Sequence, residues 1–153
     1  MKKSIYIDTS IVGGYFDEEF KDPTQKLFQL FAEGEVTFVV SDLLEAELLD
    51  APQHVRELLL QFPTNLYRRV ELTDEATTLA DTYIAEKVVG KTSLEDCRHI
   101  ALATVSKVDI LVSWNFKHIV NLERIKGYNL VNVRLGYQPI EIRSPKELID
   151  YAD

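Results

Sequence analysis

Three short apolar segments most constrain what this chain can fold into. They read SIYID (residues 4–8), VTFVV (36–40) and DILVS (109–113), and most of their side chains are β-branched or aromatic. Such runs are typical of parallel strands that are buried on both faces. Helical patterns separate them, so crossover connections must join the strands. These helical patterns cover residues 24–32, 42–51, 53–61, 74–86 and 93–105.

The alternation of strands and helices predicts an α/β fold, a three-layer α/β/α sandwich around a central sheet of four or five mainly parallel strands. Weaker strands are expected at 67–72 and 139–142, and a short capped helix at 144–151. The 153 residues contain no repeat or Pro/Gly-rich linker, and 46% of them are hydrophobic. We therefore expect one domain over residues 1–153.

The net charge and the cysteine content limit which cellular environment and which binding partners we expect. The formal net charge is -8. Binding nucleic acid mainly through its phosphates needs a basic face, so any nucleic-acid partner would require help from cations. Cys97 is the single cysteine and cannot form an internal disulfide, and the sequence shows neither a signal peptide nor a membrane-spanning apolar stretch. The expected localisation is cytoplasmic, with no membrane partner.

A carboxylate follows the first apolar run directly. In an open α/β sheet, functional groups gather beyond the carboxyl ends of the strands. Asp8, with Thr9 and Ser10 after it, is therefore expected at the tip of what we predict to be the central strand. A helix or turn cap explains an Asp in this position equally well.

A second carboxylate lies on the helix after the next strand. Ser41 or Asp42 is a suitable N-cap there, and Glu45 completes a capping box. Glu47 has no such role, because it falls within the apolar stripe of its helix. An ionised acid facing the core needs a cation, a hydrogen-bond network or access to water. A partner Lys or Arg, or partial exposure, is the structural alternative.

The third site lies in KTSLEDCRHIALATV. Ser93 and Asp96 fit a capping box, yet Asp96 also shares a helical stripe with Ile100 on a helix that is apolar on most sides. His99 follows one turn later, at a spacing where two side chains can meet. We expect His99 to support a carboxylate or to pack in the core rather than to ligate a metal.

Asp8, Glu47 and Asp96 could converge at the carboxyl edge of the sheet. Clustered carboxylates repel one another, and a hard divalent cation with oxygen ligands, Mg2+ or Mn2+, relieves that repulsion. Such an ion would also bring to an acidic protein the positive charge needed to bind a substrate phosphate. The three acids therefore predict a divalent-metal site.

In order and spacing, the YIDTS strand, the EAELL helix, the SLEDCRHIALA helix and the strand exit LVSWN resemble the PIN domain, in the form found in small prokaryotic proteins. The resemblance covers the chain from about residue 4 to the early 140s. It implies a metal-dependent ribonuclease, and many small prokaryotic members are the toxin of a toxin-antitoxin pair. The family's first three acids map onto Asp8, Glu47 and Asp96 as ligands of Mg2+ or Mn2+, and Ser113 takes the place of its Ser or Thr near the metal.

The strand exit VSWNFKHIVN departs from the family pattern at one position. Asn115 stands where many active members carry a fourth Asp, and its carbonyl would coordinate a cation without adding charge. Trp114 and Phe116 are expected to alternate away from the pocket into the packing. Lys117 is either in a solvated loop or contacts the substrate backbone.

Arg98 is a second candidate for contact with substrate. The acidic run DEEF, residues 17–20, is expected to form a solvated turn.

These residues favour hydrolysis of phosphodiester bonds in single-stranded RNA by a metal-activated water, with Ser113 and Asn115 positioning a water or ligand oxygen. A catalytically weak or inactive PIN-like module that binds RNA or a protein partner is the alternative, because the fourth acid is missing. A two-component receiver is disfavoured, since Asp8 has no second acid beside it on its strand. The resemblance also implies an antitoxin partner, whose Arg could enter the acidic pocket, and a homodimer.

Overall fold

A five-stranded, all-parallel sheet forms the middle layer of the protein. The computed structural model describes the backbone of residues 2–152 and the side chains of residues 2–149. Its strands are β1 (Lys3–Ile7), β2 (Val36–Ser41), β3 (Tyr67–Val70), β4 (Ile110–Val112) and β5 (Glu141–Arg143). They are ordered β3-β2-β1-β4-β5 and each neighbouring pair is parallel. The predicted α/β sandwich with a parallel sheet is confirmed.

The register places β1 at the centre of the sheet. Ile5 lies opposite Phe38 of β2 on one side and Ile110 of β4 on the other. The chain therefore leaves β1 at the middle of the carboxyl edge, and Asp8 is the first residue beyond the strand. This is the point at which strand order changes direction, where open α/β sheets carry their functional groups.

Helices cover both faces of the sheet. They are α1 (Thr9–Gly14), α2 (Lys21–Ala32), α3 (Asp42–Leu48), α4 (Gln53–Arg56), α5 (Asp74–Ala85), α6 (Leu94–Val105), α7 (Leu122–Arg134) and α8 (Pro145–Ala152). No helix in the described part of the chain is both long enough and apolar enough to cross a membrane. The terminal helix begins as predicted, with Ser144 and Glu147 each bonding to the backbone N–H of the other.

Alternation along the strands divides the core into two apolar layers. Ile5 and Ile7 point toward a layer that includes residues of α1 to α4, whereas Tyr6 between them points toward a layer built from α5, α6 and α7. Tyr6 is fully buried. A strand that alternates between two apolar layers has no polar face, which explains the continuous apolar runs in the sequence.

Two capping boxes predicted from the sequence are wrong. Ser41 does cap α3 by accepting from the backbone N–H of Leu44, but Glu45 turns outward and forms an ion pair with Arg69. At the start of α6, Ser93 makes no capping hydrogen bond. Asp96 is therefore not half of a capping box, and its inward position needs another explanation.

The remaining differences lie in helices whose apolar pattern is weak. The helix predicted at 53–61 is a four-residue α4 followed by a 3-10 helix, Leu58–Gln61. The sequence pattern predicted neither the six-residue α1 nor the longer α7. Its Leu122, Leu130 and Val133 side chains are exposed and Gly127 lies at its middle, so hydrophobicity gives no clear buried stripe.

Candidate functional site

Asp8 lies at the centre of the carboxyl edge and is held by hydroxyl groups. Its Oδ1 accepts from Ser10 Oγ at 2.6 Å and its Oδ2 accepts from Ser113 Oγ at 2.6 Å. Oδ1 also caps α1 by accepting from the N–H of Ile11 at 3.3 Å, so the capping role and the site position coincide. Burial raises the pKa of Asp8, although His99 and the two serine hydroxyls act against that rise.

The same two serines fix the segment that leaves β4. Ser10 Oγ accepts from the backbone N–H of Trp114 at 2.9 Å, and Ser113 Oγ accepts from that of Asn115 at 3.0 Å. Each hydroxyl thus donates to Asp8 and accepts from the backbone beside it. Two segments about 100 residues apart in sequence are joined into one rigid unit.

Trp114 anchors this unit in the core. Its indole stacks on Phe20 with ring centroids 4.2 Å apart, and its Nε1 donates to Thr24 Oγ1 at 2.9 Å. The ring lies so close to Gly14 that a Cβ there would stand 2.7 Å from it. Trp114 is buried as predicted, but the burial predicted for Phe116 is wrong, because Phe116 is 48% exposed. The chain turns directly after β4, so strand alternation does not extend to Phe116.

Glu47 is turned toward a histidine. Its Oε1 accepts from Thr9 Oγ1 at 2.7 Å and from His99 Nε2 at 2.5 Å. The carboxylate is about one-third exposed whereas His99 is buried. Burial alone would raise the pKa of Glu47, but the hydrogen bonds from His99 and Thr9 help to hold it below its usual value. The inward acid is stabilised by a hydrogen-bond network, one of the three solutions expected.

Asp96 lies in the first turn of α6, near enough to Asp8 for their charges to interact. Burial raises the pKa of Asp96, and the nearby Asp8 charge raises it further, against the attraction of His118 and a hydrogen bond from the Asn115 amide. The carbonyl oxygen of Asn115 accepts from the backbone N–H groups of Lys117 and His118, at 3.2 and 3.0 Å. That oxygen, the expected ligand, is therefore already used to form the turn.

The chemistry of Asp8 and Asp96 fits a hard divalent cation. The charges of Asp8 and Asp96 repel each other near the end of β1. Mg2+ and Mn2+ prefer oxygen ligands, which both carboxylates supply. Among the described residues, however, no three His, Cys, Asp or Glu side chains stand close enough together to share an ion. Glu47 contacts Thr9, the residue after Asp8, and is hydrogen-bonded to His99.

The two basic candidates for substrate contact lie outside this cluster. Arg98 forms an exposed ion pair with Glu95 at 2.9 Å, and Lys117 is exposed on the turn after β4. The acidic run 17–20 forms an exposed turn before α2, with only Phe20 directed inward against Trp114.

Sequence reasoning did not assign roles to Tyr6, Thr9 and Ser10, which contact or support the acids. A signal for each was present. Thr9 and Ser10 follow Asp8 directly, and a hydroxyl one or two residues after a strand-tip acid can bond back to it. Tyr6 places a phenol in the middle of an apolar strand, where its hydroxyl needs a partner.

No protein-family model matches this sequence, and no curated protein matches it. Solved structures do match over most of the chain. FitAcB from Neisseria gonorrhoeae has a TM-score of 0.60 at 13% identity, covering 93% of this chain and 98% of its own. DNA-bound VapBC from Salmonella typhimurium has a TM-score of 0.58 at 16% identity, covering 95% and 99%.

Mycobacterium tuberculosis VapC20, a toxin that cleaves the sarcin-ricin loop, has a TM-score of 0.54 at 10% identity, covering 89% of this chain and 98% of its own. The chain has a PIN-domain fold. In this PIN fold the acids Asp8 and Asp96 come from β1 and α6, and Glu47 from the helix between them in sequence. At such low identity the likeness establishes the PIN fold alone.

Proposed function

We propose that this protein is a divalent-metal-dependent endoribonuclease that hydrolyses single-stranded RNA, and that it is the toxin of a toxin-antitoxin pair. The observation that carries the proposal is the position of two carboxylates at the carboxyl edge of a PIN fold, the buried Asp8 directly after β1 and Asp96 in the first turn of α6. Repulsion between the two charges lowers the stability of the free protein and is relieved when a cation binds.

Asp8, Glu47 and Asp96 are the residues that would hold Mg2+ or Mn2+. Bound there, the cation would supply a water of lowered pKa and charge to balance the phosphate. Ser10 and Ser113 orient Asp8 and favour its ionised form by donating one hydrogen bond to each of its oxygens. Asn115 holds Asp96 through its amide and fixes the turn that presents Lys117, which would contact the RNA backbone.

The experiment is cleavage of a labelled single-stranded RNA pool in Mn2+, Mg2+ or EDTA. We expect metal-dependent cleavage by the wild type. Asp8→Asn and Asp96→Asn should each reduce the rate by more than the roughly 100-fold that loss of an outer-shell partner can cost. Glu95→Gln is the matched control, since Glu95 neighbours Asp96 in sequence but is exposed and paired with Arg98.

A second function, a PIN-like module that binds RNA or a protein without cleaving it, is favoured by two observations. The Asn115 carbonyl is occupied by backbone donors, and no three-residue ligand group is assembled among the described residues. A wild type that binds Mn2+ and RNA but cleaves nothing would support this module and contradict the nuclease. Asn115→Asp then tests whether the missing acid is the cause.

An antitoxin is the protein partner we propose. One structural neighbour is a toxin-antitoxin complex from Klebsiella pneumoniae, with a TM-score of 0.54 at 15% identity. A guanidinium placed between Asp8 and Asp96 would offset the same repulsion that a cation offsets, so an antitoxin Arg could compete with the metal. Addition of the partner should then block RNA cleavage and be opposed by excess Mn2+. A homodimer is a further proposal, tested by the molar mass in solution.

A further inference from the structure

Glu47 uses only one of its two carboxylate oxygens in the contacts that hold it. Thr9 Oγ1 at 2.7 Å and His99 Nε2 at 2.5 Å both donate to Oε1. Among residues 2–149, no hydrogen bond engages Oε2. The side chain is partly exposed, so this second oxygen is free for another partner.

The histidine that holds Glu47 is itself held from behind. His99 is 3% exposed, and its Nδ1 lies 2.6 Å from the hydroxyl of the fully buried Tyr6. That hydroxyl lies 2.8 Å from Ser41 Oγ. Ser41 caps α3, the helix that carries Glu47. The contacts therefore run from the start of α3 through β1 and α6 and back to α3, and they fix the imidazole at both nitrogens.

The chemistry of the groups gives these hydrogen bonds a direction. A carboxylate oxygen only accepts, so Nε2 of His99 carries the hydrogen. In the neutral imidazole, Nδ1 is then the acceptor, and it takes the hydrogen of the Tyr6 hydroxyl. The Tyr6 oxygen is left to accept from Ser41. Each donor in this series has an acceptor, and no buried charge is required on the ring.

We propose that His99 is a positioning residue, which fixes Oε1 of Glu47 through its Nε2–H and thereby leaves Oε2 available to the divalent cation near Asp8 and Asp96. This inference rests on the proposed function for the presence of the cation. A histidine that merely filled the core would not need a short hydrogen bond to a partly exposed acid on another helix. Outer-shell hydrogen bonds of this kind orient ligating carboxylates and typically contribute 10–100-fold to metal affinity, roughly.

Two substitutions separate positioning from packing. In His99→Gln the amide nitrogen reaches about as far as Nε2 and can donate to Glu47, whereas in His99→Asn it reaches only about as far as Nδ1. Both variants lose the imidazole ring, so the loss of aromatic packing is shared. His54→Gln is the control, since His54 is an exposed histidine on α4.

The first readout is Mn2+ affinity by titration calorimetry, without RNA. We expect His99→Gln and His54→Gln to bind within a few-fold of the wild type, and His99→Asn to bind about 10–100-fold more weakly. Equal binding by wild type and His99→Asn would overturn this inference and leave the proposed nuclease intact. A wild type that binds no Mn2+ would overturn both.

The second readout needs no variant that might fail to fold. Long-range 1H–15N spectra of the metal-free wild type report which nitrogen of His99 carries the hydrogen. We expect the Nε2–H form, with a downfield proton protected from exchange by its short bond to Glu47. A ring protonated at Nδ1 alone would overturn the inference, whatever the activity of the protein.

Discussion

Asp8 carries two roles whose demands differ. As the N-cap of α1 it stabilises the fold, which a neutral Asn does about as well. As a site residue it must stay ionised where burial disfavours its charge. Only the second role requires a carboxylate. The protein thus keeps a buried carboxyl group whose charge costs stability in the metal-free state.

We expect Asp8→Asn to stabilise the metal-free protein at neutral pH. Burial raises the pKa of Asp8 in the folded state, so folding takes up a proton between the unfolded and folded pKa values. The stability of the wild type therefore falls as the pH rises through that window and is lower above it. The gain from Asp8→Asn should be about 1–2 kcal/mol at pH 7, or roughly 2–8 °C in Tm.

The test is a pair of thermal melts at pH 7 and near pH 4. The difference between variant and wild type should shrink at the lower pH, because a larger fraction of the wild-type carboxyl is protonated there. A variant that is less stable than wild type at pH 7 would mean that the serine hydrogen bonds outweigh the burial of the charge.

Elements with a clear apolar pattern could be predicted from the sequence, and elements without one could not. The three central strands were recognised because they alternate between two apolar layers and so form continuous runs. Helix α7 was missed because its exposed leucines and central glycine conceal its buried side. The position of α7 depends on tertiary contacts, such as that of Gly127 with Val88, and not on the local hydrophobic pattern of its sequence.

In the candidate functional site, too, local sequence patterns predict some features and miss those that depend on tertiary contacts. The candidate acids could be named from the residues that follow strands or fall in apolar stripes, and the structure places Asp8 and Asp96 together. The bond between Glu47 and His99 joins α3 to α6 across 52 residues, and no local spacing predicts it. The use of the Asn115 carbonyl by its own turn likewise depends on how the chain bends after β4.

Two adjacent glycines on α1 offer a test of how this helix docks. Ala is the better helix former at both positions, by about 0.5–1 kcal/mol. Gly13→Ala should therefore be neutral or stabilising, since a Cβ there meets nothing within 4 Å. Gly14→Ala should destabilise by about 1–3 kcal/mol, because its Cβ would stand 2.7 Å from the Trp114 ring.

Chemical denaturation of both variants measures the difference. Equal stabilities would show that Trp114 can shift without cost. A loss of RNA cleavage in Gly14→Ala, with Gly13→Ala unaffected, would further connect the seating of Trp114 to the positions of Ser113 and Asn115.

The whole molecule carries a net charge of -8, and its site brings together acids from distant parts of the chain. A bound cation would link the end of β1 to the start of α6, so its binding energy would add to the stability of the entire fold. Mn2+ at about 100 times its Kd should raise the free energy of unfolding by about 2.7 kcal/mol.

In a thermal melt this corresponds to an increase of roughly 5–10 °C in Tm, reversed by EDTA. Asp8→Asn should show little of the increase. NaCl of equal ionic strength serves as the control, because screening of the acidic surface would also stabilise the protein. A similar increase with NaCl alone would argue against a specific cation site.

The hydrogen bond from Ser113 to Asp8 spans 105 residues, and it has a consequence for biosynthesis. The first carboxylate leaves the ribosome early, but the strand that sets its surroundings is translated more than two-thirds of the way along the chain. Until β4 has emerged and inserted beside β1, Asp8 lacks the hydroxyl and the backbone that orient it. A chain that ends before β4 therefore lacks the contacts that set the surroundings of Asp8.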